Sequence, residues 1–325
     1  MSRRANPSVA VDPQVHPDLV AVATTLRELD LLPVVHGDVQ NVRAQLERIN
    51  AWATQGSVPL CYERTLGFSV NRRRVACKLY WPQAEETPML MFYCHGGGFR
   101  HGSVTGWDAP LRQFVRDSGL AVLSIDYALS PEYRFPVAFN EVVSIVSRVI
   151  RLNAVTDCRV RGYVLAGDSA GANLALGAAI ALRDAGVDAL RQLVLFYGSY
   201  SRNVTSDSWR RFGGYGGQNL SAETMSAYWA SYLGNDERDW RVQPILADLA
   251  GLAPVRLVVG ALDPLLDENL ELADKLRRCG VATHLDVLAN MPHGFIRFNE
   301  VAPVVRQVIR TQGAALREVL AVSFP

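Results

Sequence analysis

Residues 163–182 read YVLAGDSAGANLALGAAIAL. Apolar residues suited to a buried strand run straight into Gly-Asp-Ser-Ala-Gly, and an alanine- and leucine-rich helical stretch follows. A serine flanked by glycines at a strand-to-helix junction is the context that a nucleophile elbow needs. Gly167 and Gly171 carry minimal side chain, so the backbone can turn sharply and leave the Ser169 hydroxyl exposed. The helix N-terminus behind it supplies a field that favours a developing anion. As a bare pattern, G-x-S-x-G arises by chance in roughly one chain in ten of this length. Its place between strand and helix carries the weight.

Outward from this unit the same order repeats. Upstream lie RRVACKLYW, which alternates as a strand should, and PMLMFYC, a continuous apolar run of the doubly covered kind. Helix DAPLRQFVRDSG, strand LAVLSIDYAL and helix VAFNEVVSIVSRVIRL lead to the elbow. Strands RQLVLFYGSY, VRLVVGALD and THLDVLAN follow it, with helix ENLELADKLRRCG between the last two and a final helix from about Val301. This alternation predicts an α/β fold with a mostly parallel sheet and helices on both faces. The N-terminal region adds two amphipathic helical patterns, DLVAVATTLRELDLL and DVQNVRAQLERINAWATQ. Residues 201–240 break the alternation and are too long for an ordinary loop. They are rich in aromatics, Gly and Ser, with one helical stretch near AETMSAYWASYL. Both additions could fold over the C-terminal edge of the sheet, where open α/β sheets bind ligands.

Composition narrows the classes. The 325 residues are 49% hydrophobic and 20% charged, enough for a substantial core, and the net charge is +1. That balance gives no footprint for nucleic acid, and Arg72-Arg73-Arg74, between two strand-like segments, reads as a solvated turn. Cys61, Cys77, Cys94, Cys158 and Cys279 are odd in number and scattered, which fits neither a zinc site nor a disulfide framework. Cys94 reads as a small buried hydrophobe at a strand end. The N-terminus lacks an apolar signal core, and no run approaches the ~18 apolar residues of a membrane span. A cytoplasmic protein with no membrane or nucleic-acid partner is expected.

A serine hydroxyl needs a base, and the base needs an orienting acid. In a sheet of this kind they belong at later strand ends, acid before histidine. VRLVVGALDPLLDE ends a strand with Asp263, and THLDVLANMPHGF places His293 in a loop before the final helix. Asp263 before Pro264 also reads as an Asx turn. Asp267 and Glu268 compete for the acid role but lie where a helix should start, so complementing that helix N-terminus is their expected use. His284 lies inside a strand pattern, and His16 and His36 lie in the N-terminal region. His101, on the loop after the glycines, is read as solvated, with shaping of the site as the alternative. Trp107, Trp209, Tyr215 and Trp229 are open to two readings, pocket wall or packing.

Residues 93–102, YCHGGGFRHG, hold three consecutive glycines. A phosphate loop would need Lys and Ser/Thr after the last glycine, and a dinucleotide fingerprint needs G-x-G-x-x-G. Neither is present. A loop of backbone donors fits: the N–H groups of Gly97 and Gly98, with that of Ala170, converge on a tetrahedral oxyanion, with Gly96 as the alternative member. Glycine is expected there because a Cβ would block close approach of the substrate. His95 is expected to pin the loop by hydrogen bonds rather than to carry protons.

These motifs resemble the bacterial hormone-sensitive-lipase-like esterases of the α/β-hydrolase fold. The likeness rests on HGGGF, DYALSPEYRFP, GDSAGAN, GALDPLLDE and PHGF, in family order from about residue 88 to 297, and YWASYLGND is similar to the acetyl esterase branch. The resemblance implies an eight-stranded, mostly parallel sheet with helices on both faces and a helical cap. Residues 1–55 would be N-terminal cap helices and 201–240 a cap insertion, with 56–200 and 241–325 the two parts of the core. It implies hydrolysis of short-chain acyl esters, acetyl to butyryl, on a small-molecule substrate with no cofactor or metal, and it leaves a homodimer open. The family triad falls on Ser169, Asp263 and His293, and its oxyanion glycines fall within Gly96–Gly98. Where many members read Tyr-Arg-Leu-Ala-Pro-Glu-His, this chain has Tyr127-Ala128-Leu129-Ser130-Pro131-Glu132-Tyr133, which bears on the branch. Glu132 reads as an ion-pair partner rather than a catalyst. An amidase or deacetylase using the same triad is the alternative. A binding receptor on a decayed hydrolase fold is disfavoured because His293 is present.

Overall fold

The apolar runs become the centre of a sheet in the computed structural model, which describes residues 14–32, 37–60, 62–82, 88–156, 158–214, 220–233 and 239–322. The strands are β1 (Tyr62–Val70), β2 (Arg73–Trp81), β3 (Leu90–Cys94), β4 (Ala121–Ile125), β5 (Tyr163–Asp168), β6 (Leu190–Phe196), β7 (Val255–Gly260) and β8 (Thr283–Leu288). Among the described residues they form one eight-stranded sheet in the order β1-β2-β4-β3-β5-β6-β7-β8. β2 is antiparallel to β1 and β4, and the remaining pairs are parallel. The helices are α1 (Pro17–Glu28), α2 (Val39–Ala53), α3 (Asp108–Ser118), α4 (Val137–Leu152), α5 (Ala170–Asp184), α6 (Asp207–Phe212), α7 (Ala222–Tyr232), α8 (Leu266–Arg278) and α9 (Pro303–Val322). No described helix is long and apolar enough to cross a membrane.

The two-residue period of a strand sorts its side chains onto two faces. In β3, Leu90, Phe92 and Cys94 join a core with α4, α5 and α8, while Met91 and Tyr93 join a second core with α3 and α9. β6 divides the same way, Leu193 and Leu195 against Val194 and Phe196. A strand apolar on both faces therefore reads as an unbroken apolar run. Each fully buried Leu, Val or Phe contributes about 1.5–3 kcal/mol.

Several sequence expectations need correction. β1, the strand-like segment before the triplet, is the edge strand, mostly exposed or half-buried, and turns Leu66, Phe68 and Val70 to the core. It is joined to β2 by Asn71 and Arg72, both at positive φ (44° and 68°) as a tight hairpin requires. Only Arg72 of the arginine triplet is in this turn: Arg73 and Arg74 open β2, and Arg73 lies 3.1 Å from the buried Glu141 carboxylate. The strand expected over LAVLSIDYAL stops at Ile125, and Glu141 accepts the Ala128 N–H at 2.7 Å. Within 201–240 the structure adds α6 to the expected helix α7. Cys61, His36 and Tyr215 lie outside the described residues.

Glu132 is an ion-pair partner. Both its carboxylate oxygens accept from Arg43 on α2 at 2.8 Å. The same guanidinium donates to the carbonyls of Arg100 (2.9 Å) and Ser130 (3.0 Å), so one side chain ties α2 to two core loops. Arg43→Ala should lower stability by about 1–2 kcal/mol. Urea denaturation measures that loss, and amide exchange should quicken in residues 39–53 while β3 and β5 stay protected.

Candidate functional site

Parallel strands end on one edge, and β3, β5, β6, β7 and β8 deliver their following loops there. At the end of β5, Ser169 adopts φ 52° and ψ −120°, a conformation that costs a non-glycine residue about 1–3 kcal/mol. The turn is held by its surroundings. The Ser169 N–H donates to the Phe196 carbonyl at 2.9 Å, and a Cβ on Gly171 would overlap the carbonyl oxygens of Cys94 and His95. A Cβ on Gly167 would overlap the Gly171 carbonyl in turn.

Ser169, His293 and Asp263 are brought together. Ser169 Oγ lies 3.0 Å from His293 Nε2, and His293 Nδ1 lies 2.8 Å from Asp263 Oδ2. The carboxylate can only accept, so Nδ1 carries the proton and Nε2 is left to accept from the serine. Asp263 is fully buried, and its Oδ1 accepts the Leu265 N–H at 2.8 Å. The Asx turn and the histidine contact therefore coexist, one on each oxygen. The loops carrying Asp263 and His293 are joined by Ala261 N–H to Leu288 O (2.8 Å) and Leu262 N–H to Met291 O (3.1 Å). Asp267 and Glu268 lie in the first turn of α8, where they accept backbone N–H groups: Ser208 for Asp267, Tyr200 and Ser201 for Glu268. His284 pairs with Asp286 on β8, and His16 caps α1.

The glycine loop faces the serine. Gly96 N–H is already committed to Asp168 Oδ1 at 2.8 Å, which leaves Gly97 and Gly98, whose N–H groups meet no acceptor among the described residues. Ala170 opens α5, where a helix leaves its N–H groups unpaired. The need for glycine differs from the sequence expectation, because the protein itself fills the space. At Gly97 φ is +119° and a Cβ would overlap the His101 carbonyl, and at Gly98 it would overlap the Tyr228 ring. His95 is fully buried and donates from Nδ1 to the Gly96 carbonyl at 2.8 Å. It stacks on Tyr127, whose hydroxyl donates to the His95 carbonyl at 2.6 Å.

A cleft of about 160 Å³ opens over these groups. His101 lines it rather than standing in solvent: its Nε2 is 2.9 Å from the Tyr228 hydroxyl, and burial pushes the imidazole down to about 3, so it is neutral. Trp107 also lines the cleft, whereas Trp209 and Trp229 are buried in the core. Leu46 of α2 and Thr224, Met225 and Tyr228 of α7 complete the wall.

Residues 91–297 match the model of a family described as the alpha/beta-hydrolase fold. The chain belongs to this family. The hydrolase is 31% identical over 283 residues to an acetyl esterase of Salmonella typhi, covering 84% of this chain and 85% of that protein. It is similar in structure to a hyperthermophilic esterase from the archaeon Pyrobaculum calidifontis, with TM-score 0.88, 27% identity, and 95% and 99% of the two chains covered. A thermostable carboxylesterase cloned from a metagenomic library superposes with TM-score 0.81 at 30% identity, over 87% and 98% of the chains.

Sequence reasoning passed over two residues of the hydrolase site, Asp168 and Tyr197. The buried Asp168 accepts from Gly96 N–H and from the Tyr93 hydroxyl (2.9 Å) on Oδ1, and from the Tyr197 hydroxyl (3.3 Å) on Oδ2. The Tyr197 ring meets the His293 ring edge-on, with centroids 4.9 Å apart. The only sequence signal was an acid inside GDSAG. Burial raises the Asp168 carboxyl from 3.8 to about 6, against the opposing hydrogen bonds of Tyr93 and Gly96. Between those values the folded chain binds more proton here than the unfolded chain. Its stabilising contribution is thus complete below pH 3.8 and is lost as pH rises through 6. From pH 7 to pH 4 the unfolding free energy of the native protein should gain about 2–3 kcal/mol on that of Asp168→Asn. Urea titrations at each pH measure it, and a pH-independent difference would contradict it.

Proposed function

We propose that the hydrolase cleaves short-chain acyl esters, acetyl to butyryl, through an acyl-enzyme formed on Ser169. The chain is a carboxylic ester hydrolase, the class of its acetyl esterase relative and of the two esterase structures. The observation that carries the finer reading is the unbroken relay Asp263–His293–Ser169 beside the unengaged N–H groups of Gly97 and Gly98.

In the proposed mechanism Ser169 Oγ attacks the ester carbonyl carbon while His293 Nε2 takes the hydroxyl proton. Asp263 holds the imidazole in the required tautomer and stabilises the imidazolium. Negative charge moves onto the carbonyl oxygen, which in this reading accepts from the N–H groups of Gly97, Gly98 and Ala170. The intermediate collapses, His293 protonates the departing alcohol, and the acyl group stays on Ser169. Water, deprotonated by His293, repeats the attack and releases the acid. In this reading α2 and α7 act as a cap, since both line the cleft. A volume of about 160 Å³ is below the usual range of drug-sized pockets, which supports small acyl groups.

Ser169→Ala should lower kcat by about 10⁴-fold or more while circular dichroism stays native, and Asp263→Asn should cost about 10⁴-fold. A Ser169→Ala protein that keeps most of its esterase activity would refute the mechanism. Across 4-nitrophenyl esters from acetyl to decanoyl, kcat/KM should peak between acetyl and butyryl; a maximum beyond octanoyl would overturn the short-chain assignment.

A further inference from the structure

The charged and imidazole-bearing side chains among the described residues that line the cleft are His101, Asp168, His293 and Arg297. His101 is neutral, and Asp168 is engaged by three donors. Arg297 is the cation, carried on the 3₁₀ turn Phe295–Phe298 that follows His293 and Gly294. Its guanidinium lies over the rings of Trp107 (5.6 Å) and Phe298 (5.5 Å), and Nη1 donates to Asn50 Oδ1 at 3.3 Å. No carboxylate of the described residues pairs with it. Elsewhere the comparable arginines Arg43, Arg73, Arg112 and Arg256 each meet a carboxylate at 3.1 Å or less.

A guanidinium packed on two rings and bonded to Asn50 has already lost much of its rotamer freedom, yet most of its donors are unused. It stands in a concave, partly desolvated wall, where a charge pair is stronger than in open water. Its planar fork fits a carboxylate. With no second cation among the described residues that line the cleft, a single negative charge suits it, which favours a monoanion over a phosphate dianion.

We propose that Arg297 is a specificity-determining residue that selects esters carrying a free carboxylate in addition to the bond that is cleaved. This rests on the esterase reading and names the substrate class of the same site. The competing role is a structural one, in which the Arg297 charge only offsets that of Asp168, which it stabilises through the intervening space. That role makes no distinction between neutral and anionic substrates.

Two matched pairs separate the roles and the half of the ester concerned. On the alcohol side the pair is 4-acetoxybenzoate against methyl 4-acetoxybenzoate; on the acyl side it is monomethyl succinate against methyl butyrate. In at least one pair the native enzyme should show kcat/KM about tenfold or more higher for the carboxylate, chiefly through KM. Arg297→Gln should lower that ratio about tenfold, and Arg297→Lys, which keeps the charge but loses the fork, should restore part of it. The ratio within each protein is the readout, so a change in absolute rate does not disturb it, and the native ratio needs no variant. Preference for the neutral member in both pairs would overturn the proposal while leaving the esterase reading intact. An equal loss on both members in Arg297→Gln would also overturn it, in favour of the structural role. Absence of Ser169-dependent turnover of every member of both pairs would overturn the esterase reading, and this proposal with it.

Discussion

The first turn of α5 lies against the end of β3 with no space for a side chain between them. A Cβ on Gly171 would overlap two carbonyl oxygens of residues 94 and 95, and one on Gly167 would overlap Gly171 itself. That backbone contact fixes the height of the elbow above the sheet edge. It also fixes where the chain leaves β3 for the glycine loop, since Cys94 and His95 are the residues touched. The candidate nucleophile and the candidate oxyanion donors are thus set by one contact. Asp168 adds a tie between them, accepting the Gly96 N–H from the residue before Ser169.

Buried carboxylates do much of the positioning here, and each is supplied with donors. Asp263 takes His293 and the Leu265 N–H, Asp168 takes Gly96 and two tyrosines, and Glu268 takes Tyr200 and Ser201. Burial pushes the Glu268 carboxyl well above the usual range, against its two backbone hydrogen bonds. An unpaired buried acid would cost several kcal/mol. Through these bonds the three acids tie the loops after β3, β6, β7 and β8 into one arrangement. Tyr197 links two of the clusters, bonding Asp168 through its hydroxyl and packing its ring against His293.

What the sequence made legible follows from how locally each feature is determined. The central strands are apolar on both faces, so short runs such as LMFYC declare themselves, and the elbow needs glycines within five residues of one another. Order along the chain then led to Asp263 and His293. β1 was legible only as a strand-like segment before the arginine triplet, since an edge strand half in water turns just Leu66, Phe68 and Val70 to the core. His101 was misjudged because its burial depends on Tyr228, 127 residues away. Asp168 and Tyr197 were passed over for the same reason: the partners of Asp168 on β3 and the glycine loop, and those of Tyr197 at the end of β5 and after β8, meet them only through the sheet order, which no local window contains. Arg73 looked like part of a basic turn until the hairpin register put it on β2 beside Glu141.

The glycine loop is gripped from both sides, which changes what the added segments do. From within, Asp168 and Tyr127 hold Gly96 and His95. From outside, α7 packs Tyr228 on Gly98, and Phe99, at φ 58°, lies against Trp229 and stacks on Tyr232 with ring centroids 3.9 Å apart. Arg43 on α2 takes the Arg100 carbonyl one residue further on. A non-glycine residue at positive φ persists only where its neighbours over-determine it, and here those neighbours come largely from α7. The segments outside the repeating α/β core therefore do more than shape a cleft. They hold the backbone N–H groups of residues 97 and 98 in place, so a displacement of α7 would move the donors as well as the wall.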